Sequence, residues 1–332
     1  MSSKAPAQSR WASSSLLALI LPVAILYLFT PSLNVWWKTF ISAQNDPHAG
    51  ELARAAISEA SWLRSVRQRH DWMEKNQDYD DTLFSPRDES LRFWYTLWDL
   101  FPATYSCPWD LQRVGKLGDG GKWICGMSKY ASDRASAQRP LRVYSFGVGS
   151  DSTFEEEFLN RSSRAQVWGF DDTVEMWGRG LDGHAYEHRA HLSKAAVAGY
   201  DFYDEKDKTQ FWSISSIMKK LGHDYVDLVK MDIEGDEFPT LEAFLEELKT
   251  EGKEVPFGQL VIEIHVPEKG PKISQFAEWW ERMEGLGLRP VMSEANLLAV
   301  TVGDGQPCCV EDTQDGRPVV KAAVSDTNQD QK

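Results

Sequence analysis

The sequence has no excess of basic residues, and it lacks several short motifs that mark common nucleotide- and metal-dependent enzymes. It carries 36 Lys and Arg against 50 Asp and Glu, for a net charge of −14. This balance argues against a nucleic-acid backbone as the main partner, because phosphates are bound by basic surfaces. The chain contains neither G-x-x-x-x-G-K-[ST] nor H-E-x-x-H, which excludes the P-loop and the zinc-protease helix.

Charge is also absent from one long apolar stretch near the N-terminus. Residues 11–37 contain no charged side chain, and their apolar centre runs from Leu16 to Phe29. A membrane-spanning helix needs about 20 mainly apolar residues, so residues 11–33 are predicted to form a transmembrane signal anchor. The alternative is a cleaved signal peptide, but its small-residue cleavage site should lie closer to the apolar run than residues 41–43 do.

The charges before this segment predict its orientation. Lys4 and Arg10 precede it and no acidic residue does, so the positive-inside bias places residues 1–10 in the cytosol as a short tail. Residues 38–332 then lie in the lumen of the endoplasmic reticulum or the Golgi. The chain is therefore predicted to be a single-pass type II membrane protein.

Cysteine is scarce, with four residues in the chain. Cys107 and Cys125 are 18 residues apart, and disulfides persist in the secretory lumen. A disulfide between them would contribute about 3 kcal/mol in the chain-entropy model, and two free thiols are the alternative. Cys308 and Cys309 are adjacent in the sequence, and such pairs rarely bond to each other, so their state is left open.

Composition divides the lumenal part into a stem, a domain and a tail. Residues 34–94 are predicted to be the stem, and apolar residues at helical spacing within 51–75 indicate a docking or spacer helix there. Residues 95–311 are predicted to form one globular domain. Residues 312–332 are polar and are predicted to be a disordered tail.

Within the domain, apolar strands alternate with amphipathic helices. The predicted strands are 141–149, 165–172, 190–199, 225–235 and 258–266, with a terminal hairpin at 289–303. The predicted helices are 152–160, 213–222, 238–249 and 273–288. The first of them should begin with a capping box of Ser152 and Glu155, and Asp236 should cap the third. This alternation is typical of a parallel sheet covered on both faces, in which ligands bind at the carboxyl ends of the strands.

Glycines and carboxylates follow the first two strands. Gly147 and Gly149 end the first one in VYSFGVGSDSTFEEEF, and glycine permits a tight turn and close approach of a ligand to the backbone. Asp171 lies 22 residues beyond Gly149, where a carboxylate typically accepts hydrogen bonds from ribose hydroxyls. Together these residues predict a nucleoside ligand. Otherwise the glycines only turn the chain, and Asp171 or Asp172 caps a helix.

The third glycine of the dinucleotide fingerprint is missing, because position 152 is Ser152. No Tyr-x-x-x-Lys occurs either, which argues against a dehydrogenase. A pyrophosphate would have a poor cradle here, whereas a ligand with a ribose and no phosphate fits better. S-adenosylmethionine is such a ligand, and an acidic rim suits its positive centres.

Two further strands end in acids and a histidine. Asp232 and Glu234 follow the strand in KMDIEGDEF, and Glu263 and His265 lie in IEIHV. Spacing of i, i+2 puts both members of each pair on the same side, so adjacent strands would bring three carboxylates and an imidazole into one crevice. Buried charges without a role are costly, so we predict a catalytic or substrate-binding role. No metal is predicted, although all these residue types can bind one.

These blocks also resemble known methyltransferases. DLVKMDIEGDEFPTL is similar to the lKiDvEGaE block of FkbM-type methyltransferases. CPWDLQRVGKLGDGGKWIC, VYSFGVGSDSTFEEEF, VWGFDDT and QLVIEIH resemble the methyltransferase-like protein 24 group, over roughly residues 95–303. The resemblance implies an α/β, Rossmann-like class I methyltransferase fold. Such a fold has a seven-stranded, mostly parallel sheet with helices on both faces and an antiparallel last strand, preceded here by one transmembrane helix.

The resemblance also implies roles for individual residues. The residues predicted to bind S-adenosyl-L-methionine are Phe146, Gly147, Val148, Gly149, Ser150, Asp171, Asp172 and Lys122. Residues 119–123 would form a lid, with Lys122 on a carboxylate, and Asp232 and Glu234 would lie beside the methionine end and the acceptor. His265 is the natural base for a hydroxyl acceptor, because its ordinary pKa is near 6.5. Asp232 or Glu263 could orient or replace it.

The sequence thus predicts a membrane-anchored, S-adenosylmethionine-dependent methyltransferase that acts on oxygen or nitrogen of an unidentified lumenal acceptor. A glycan, a protein or a small molecule could be that acceptor. One alternative is a non-catalytic binding module that retains the fold. Another is a lumenal glycosyltransferase. The anchor, the stem and the D-x-D motif at residues 78–80 favour it, although that motif lies in the predicted stem.

Overall fold

The computed structural model describes residues 49–76, 94–132, 139–181, 186, 188–266, 271–302 and 308–316. The predicted anchor at 11–33, the motif at 78–80 and most of the predicted tail lie outside this part of the chain. Among the described residues, no helix is long and apolar enough to cross a membrane. The chain divides into two units, Met1–Ala53 and Arg54–Lys332. Only residues 49–53 of the first are described, as the start of a helix.

The described residues form helices and strands in mixed order, and the first helix begins in the first unit. The helices are α1 (Ala49–Lys75), α2 (Trp94–Leu100), α3 (Met127–Ala131), α4 (Thr153–Arg161), α5 (Ile214–Leu221), α6 (Glu237–Glu251), α7 (Ile273–Gly285) and α8 (Leu297–Val302). The strands are β1 (Leu111–Val114), β2 (Lys122–Cys125), β3 (Leu141–Phe146), β4 (Ala165–Asp171), β5 (Ala190–Lys194), β6 (Ala196–Val197), β7 (Phe202–Asp204), β8 (Thr209–Trp212), β9 (Leu228–Met231), β10 (Gln259–His265), β11 (Arg289–Ala295) and β12 (Cys309–Asp315).

Seven of these strands form one mixed sheet in the order β11-β12-β10-β9-β3-β4-β5. The neighbours from β10 to β5 pair in parallel, whereas β12 runs antiparallel to both β10 and β11. The predicted parallel core and antiparallel last strand are therefore confirmed. The remaining strands form two smaller sheets, β1-β2 and β6-β8-β7.

The sheet is apolar on both faces because alternate residues of a strand point to opposite sides. Tyr144 and Phe146 of β3 belong to one buried cluster with residues of α6 and α7. Val143 belongs to a second cluster with Phe154 and Phe158 of α4. Every residue of β9 is buried. Burial on both faces explains why these strands read as continuous apolar runs in the sequence.

The predicted end of α5 agrees with the structure, whereas the predicted cap of α4 does not. Ser213 caps α5 by accepting a hydrogen bond from the Ser216 amide, and α5 ends at Gly222 in the left-handed conformation. The capping box predicted for Ser152 is wrong, because its hydroxyl instead accepts from the Gly178 amide at 2.9 Å. The Thr153 amide donates to Asp151 Oδ1 at 3.1 Å, so Asp151 does the capping.

The predicted cap of α6 is also not formed. Asp236 stands at the N-cap position, but its side chain makes no capping hydrogen bond. Its backbone lies at φ −84° and ψ 5°, away from the extended geometry in which an N-cap side chain usually reaches the helix amides. A neighbouring carboxylate, Glu237, binds two amides of the preceding turn instead.

The C-terminal hairpin was predicted with the wrong partner. Strand β11 pairs with β12, whereas residues 297–302, predicted as the second strand, form α8. β12 crosses the predicted start of the tail at residue 312 and runs to Asp315. Its sequence, CVEDTQD, looks like a solvated tail, yet all but its first residue are buried, because β12 is inserted between β10 and β11.

Two contacts fix the N-terminal part of the second unit. Arg69 of α1 is 2% exposed and donates to Glu281 at 3.1 Å and to Glu284 at 2.6 Å. The helix assigned to the stem therefore packs on α7, so it is a docking helix and not a spacer.

Cys107 and Cys125 are joined by a disulfide, with Cα atoms 5.8 Å apart, which confirms that predicted disulfide.

Candidate active site

The carboxyl ends of β3, β4, β9 and β10 open into one cavity of about 940 Å³. This volume is at the upper end of the range for small-molecule sites, so it offers room for more than one small ligand group. Of the predicted site residues, the cavity is lined by Gly147, Val148, Gly149, Ser150, Asp171, Asp172, Asp232, Glu234, Glu263 and His265. The segment Lys116–Gly120 contributes three lining residues at the rim, Lys116, Asp119 and Gly120.

The two glycines after β3 are needed for different structural reasons. Gly147 has φ +74°, and a Cβ placed there would lie 1.7 Å from the carbonyl oxygen of Asp232. Gly147 therefore lets the loop after β3 lie against the main chain after β9. Gly149 has φ +64°, and a Cβ there would meet nothing within 4 Å. Only the left-handed conformation explains the second glycine.

Asp171 holds this glycine loop in place. It is 7% exposed, and its Oδ2 accepts hydrogen bonds from the amides of Val148 and Gly149, both at 2.8 Å. Its Oδ1 accepts two more from the amide and hydroxyl of Thr173, both at 2.7 Å. Burial alone would raise the pKa of Asp171, but these four hydrogen bonds outweigh it and lower the pKa. Asp171 is thus an ionised carboxylate whose oxygens already accept hydrogen bonds from Val148, Gly149 and Thr173.

Asp172 is free for the role that the sequence assigned first to Asp171. It is half-buried and lines the cavity. Within the described part of the chain its carboxylate makes no hydrogen bond or ion pair. A ribose needs such an acceptor, so Asp172 suits a ribose better than Asp171 does.

Lys122 and Phe146 lie behind the cavity wall rather than on it. Lys122 is fully buried, and its Nζ lies 3.0 Å from Asp232 Oδ2 and 3.1 Å from Glu263 Oε2, with Glu311 as its third carboxylate partner. Burial lowers the pKa of Lys122, but the charges of these three groups outweigh it and raise the pKa. Lys122 is on carboxylates, as predicted, and it begins the strand β2, whereas Asp119 and Gly120 of the predicted lid line the cavity. The lid itself stays a prediction.

His265 lies at the centre of the predicted acidic group. Its Nε2 is 4.0 Å from Asp232 Oδ1, 3.7 Å from Glu234 Oε2 and 3.8 Å from Glu263 Oε1. On the other side of the ring, Nδ1 lies 3.0 Å from Oε1 of Glu237. The fold thus brings together the three carboxylates and the imidazole that the strand ends predicted.

The charge of His265 follows from these neighbours. Burial lowers the pKa of His265, but the hydrogen bond and charge of Glu237 outweigh burial, and Glu263 and Asp232 add to this, which raises the pKa to about 9. His265 is therefore an imidazolium ion at neutral pH. It must release this proton before it can act as the predicted base, and that role stays a prediction.

Sequence reasoning missed three residues of the site. Glu237 has no solvent exposure, and it accepts from the amides of Ile233 at 3.0 Å and Gly235 at 3.2 Å. It so fixes the turn in which Glu234 has φ +56°. The final Glu of the lKiDvEGaE block could have revealed Glu237. Asn296 was missed because its segment was predicted as a hairpin, and Glu311 because it is the last residue of the predicted domain, where no strand was predicted.

Glu311 differs in charge from the other acids. Burial raises its pKa to about 9, with the charge of Glu263 adding to the rise and Lys122 opposing it. Glu311 is thus protonated at neutral pH. The ammonium of Lys122 and the imidazolium of His265 then lie beside the two carboxylates of Asp232 and Glu263.

Comparison with known proteins decides the family. A family model described as a methyltransferase domain matches residues 55–302, which is most of the chain. The chain belongs to this methyltransferase family. Methyltransferase-like protein 24 of Homo sapiens is 31% identical over 156 residues, which cover 46% of this chain and 40% of that protein. The Rattus norvegicus protein of the same name is 28% identical over the same shares, so the match spans less than half of these relatives.

Two solved structures illustrate the similarity of this methyltransferase to others. The FkbM methyltransferase from Methylobacillus flagellatus is 13% identical, with a TM-score of 0.35, over 72% of this chain and 59% of that one. The fibrillarin pre-rRNA processing protein of Methanococcus jannaschii is 12% identical, with a TM-score of 0.33, over 53% of this chain and 66% of that one.

The methyltransferase cavity also has groups that could meet at a cation. Ligand atoms of Asp232, Glu234 and His265 lie within 4.8 Å of one another, as do those of Glu263, His265 and Cys309. A proton on His265 competes with any ion at Nε2, and Cys309 is joined to Cys308. The prediction that no metal is bound stays a prediction.

Proposed function

We propose that this methyltransferase transfers a methyl group from S-adenosylmethionine to an oxygen or nitrogen atom of an acceptor. One observation carries the proposal: in a chain of this family, the glycine loop, the free carboxylate of Asp172 and the His265 cluster line the same cavity. A nucleoside site and an acid–base group thus lie side by side. Methyl transfer needs that juxtaposition, because in-line alignment of donor and acceptor supplies much of the rate.

The chain's own groups fit the cofactor. Asp172 accepts hydrogen bonds from the ribose, and the loop 147–150 lies beside it, held by Asp171. The open space above Gly149 leaves the loop accessible. The carboxylate of Asp172, which has no hydrogen bond or ion pair among the described residues, favours a ligand that carries positive charge. When bound, S-adenosylmethionine supplies an electrophilic methyl group on a positively charged sulfur.

His265 manages the acceptor's proton in this proposal. The new bond joins the methyl carbon to the acceptor atom, the bond from carbon to sulfur breaks, and a hydroxyl acceptor gives its proton to a base. His265 first releases its resting proton to solvent, which the positive charge of a bound cofactor favours, and Nε2 then accepts the proton of the hydroxyl. Glu237 orients the ring through Nδ1, and the carboxylates of Asp232 and Glu263 stabilise the imidazolium that forms.

We further propose that residues 11–33 anchor the chain as a single-pass type II protein, with the catalytic domain in the lumen of the endoplasmic reticulum or the Golgi. The uncharged stretch at 11–37 and the disulfide between Cys107 and Cys125 support this location, because disulfides persist in that compartment. The acceptor is then a lumenal glycan, protein or small molecule. Protease protection of a C-terminal tag in sealed microsomes tests the orientation, and digestion of the tag would contradict it.

Calorimetric titration of the full-length chain with S-adenosylmethionine tests the cofactor. We expect micromolar binding by the wild type, weakened about tenfold or more in Asp172→Asn, because a charge-assisted hydrogen bond contributes roughly 1.5–3 kcal/mol. The exposed Asp207→Asn is the matched control and should bind like the wild type. A folded wild type that does not bind S-adenosylmethionine would overturn the proposal.

A non-catalytic binding module is the second candidate, and the protonation of His265 at neutral pH favours it. Such a module would bind S-adenosylmethionine and never consume it. Formation of S-adenosylhomocysteine by the wild type in a lumenal extract, and its loss in His265→Gln with cofactor binding retained, would exclude this candidate.

A further inference from the structure

The short helix α8 is apolar and buries none of its side chains. Leu297 is 68% exposed, Leu298 52% and Val302 77%. Single exposed apolar residues are ordinary on a protein surface. Three of them lie on this one helix of six residues and form the apolar surface of α8, and concentrations of exposed apolar side chains mark interaction sites.

This surface continues into the catalytic cavity. Leu298, Ala299 and Val302 line the same cavity as Asp232 and His265. A molecule that fills the cavity up to its rim would therefore touch carboxylates at one end and apolar side chains at the other. The apolar surface of α8 is thus part of the cavity wall and not an isolated patch.

Asn296 ties the apolar helix to the catalytic group. Its Oδ1 accepts hydrogen bonds from the amides of Leu298 at 3.0 Å and Ala299 at 3.2 Å, which caps the first turn of α8. Its Nδ2 donates to Glu263 Oε1 at 2.7 Å. The same Glu263 oxygen lies 3.8 Å from His265 Nε2. One side chain therefore fixes where the apolar surface begins relative to the proposed base.

We propose that the methyl acceptor is an amphiphile whose apolar chain lies on α8 and whose polar end enters the His265 cluster. This inference rests on the proposed function and adds the class of acceptor to it. The carboxylates of Asp232, Glu234 and Glu263 disfavour an anionic group at that end, so the group that receives the methyl is a neutral hydroxyl or an amine. A glycan or peptide without an apolar portion would leave α8 uncovered.

Photolabelling of the full-length chain tests the proposal. The probe is a twelve-carbon primary alkylamine with a diazirine at its far end, compared with a four-carbon analogue, and labelled peptides are mapped by mass spectrometry. We expect the long probe to label the peptide containing residues 297–302, with weak labelling by the short one. In Leu298→Ser/Val302→Ser this labelling should fall about tenfold, because several buried CH₂ contacts are lost. Ile57→Ser, at a position 71% exposed on α1, is the matched control.

Several outcomes would overturn the proposal. Equal labelling of α8 by both probes, or unchanged labelling in the double variant, would show that α8 does not select an apolar chain. A wild type that sediments as a dimer and a double variant that sediments as a monomer would assign α8 to a second copy of the chain.

Parallel calorimetry with S-adenosylmethionine separates this inference from the proposed function. Cofactor binding without chain-dependent labelling overturns the amphiphilic acceptor and leaves the methyltransferase proposal intact. Chain-dependent labelling without cofactor binding supports the apolar surface and overturns methyl transfer at this site.

Discussion

The Nδ1 atom of His265 lies 3.0 Å from Oε1 of Glu237, a carboxylate that has no solvent exposure. The same Glu237 oxygen accepts the Ile233 amide at 3.0 Å, so one buried side chain fixes both the turn after β9 and the imidazole after β10. Glu237 is not among the residues that line the cavity, so in the proposed reaction it acts through His265 as a positioning residue.

Glu237→Gln should lower the pKa of His265. Gln keeps a hydrogen-bond acceptor but removes the negative charge, and that charge and its hydrogen bond are the largest causes that raise this pKa to about 9. We expect a fall of about one unit or more, measured by NMR titration of the His265 ring. A glutamate farther from the ring, in Glu246→Gln, should leave the pKa unchanged. An unshifted His265 in Glu237→Gln would contradict the assignment.

The stability of the wild type should fall between pH 6.5 and 9 by a contribution from His265. The pKa of His265 in the folded state, about 9, is above the ordinary histidine pKa of 6.5, so the stabilisation is complete below pH 6.5 and is lost as the pH rises through 9. The loss is on the order of 3 kcal/mol. Urea unfolding of the wild type and His265→Gln across this range measures it, because other titrating groups, Glu311 among them, cancel in the difference. A constant difference would contradict the prediction.

Lys122→Met should destabilise the fold strongly. The substitution leaves the buried carboxylate of Glu263 and the half-buried carboxylate of Asp232 without the Lys122 ammonium, and removing one partner of a buried ion pair costs about 3–5 kcal/mol. Urea unfolding measures the effect, with the exposed Lys206→Met as the control. A loss below about 1 kcal/mol would show that the carboxylates of Asp232 and Glu263 do not depend on Lys122.

Gly147→Ala should be much more damaging than Gly149→Ala. Both positions have positive φ, which costs an L-residue about 1–2 kcal/mol. Only at position 147 would the new Cβ collide with the carbonyl of Asp232, at 1.7 Å. Thermal unfolding of the two variants compares the costs directly, and equal losses would mean that the loop after β3 relaxes away from Asp232.

Asp171→Asn and Asp172→Asn should separate structure from ligand binding. Asp171→Asn weakens the hydrogen bonds that hold Val148 and Gly149, so we expect a loss of about 1–3 kcal/mol of stability. This loss should shrink as the pH falls, because the lowered pKa of Asp171 contributes stability only while the wild-type carboxylate is ionised. Asp172→Asn should leave stability unchanged and weaken S-adenosylmethionine binding. The reverse pattern would return the ribose to Asp171.

Most of the sheet could be predicted from the sequence because its central strands are buried on both faces. Strands such as β9 and β10 read as largely apolar runs, and the residues just after β9 and at the end of β10 reach the cavity. Strand β12 could not be found in this way. Its acidic residues are buried by insertion between β10 and β11, and no local pattern reports that neighbours arriving from elsewhere in the chain will cover them.

The sequence by itself determined which residue types would stand at the strand ends: two glycines, two aspartates, and the Asp232, Glu234, Glu263 and His265 group. Tertiary structure alone decided how they are used. The carboxylate of Asp171 binds the amides of the glycine loop, so the proposed ribose site falls to Asp172. Glu237 sets the charge of His265, and Asn296 joins the apolar α8 to Glu263. The physical reason is that pKa values and hydrogen-bond partners depend on distances of 3–4 Å between side chains far apart in sequence, and only the folded chain sets those distances.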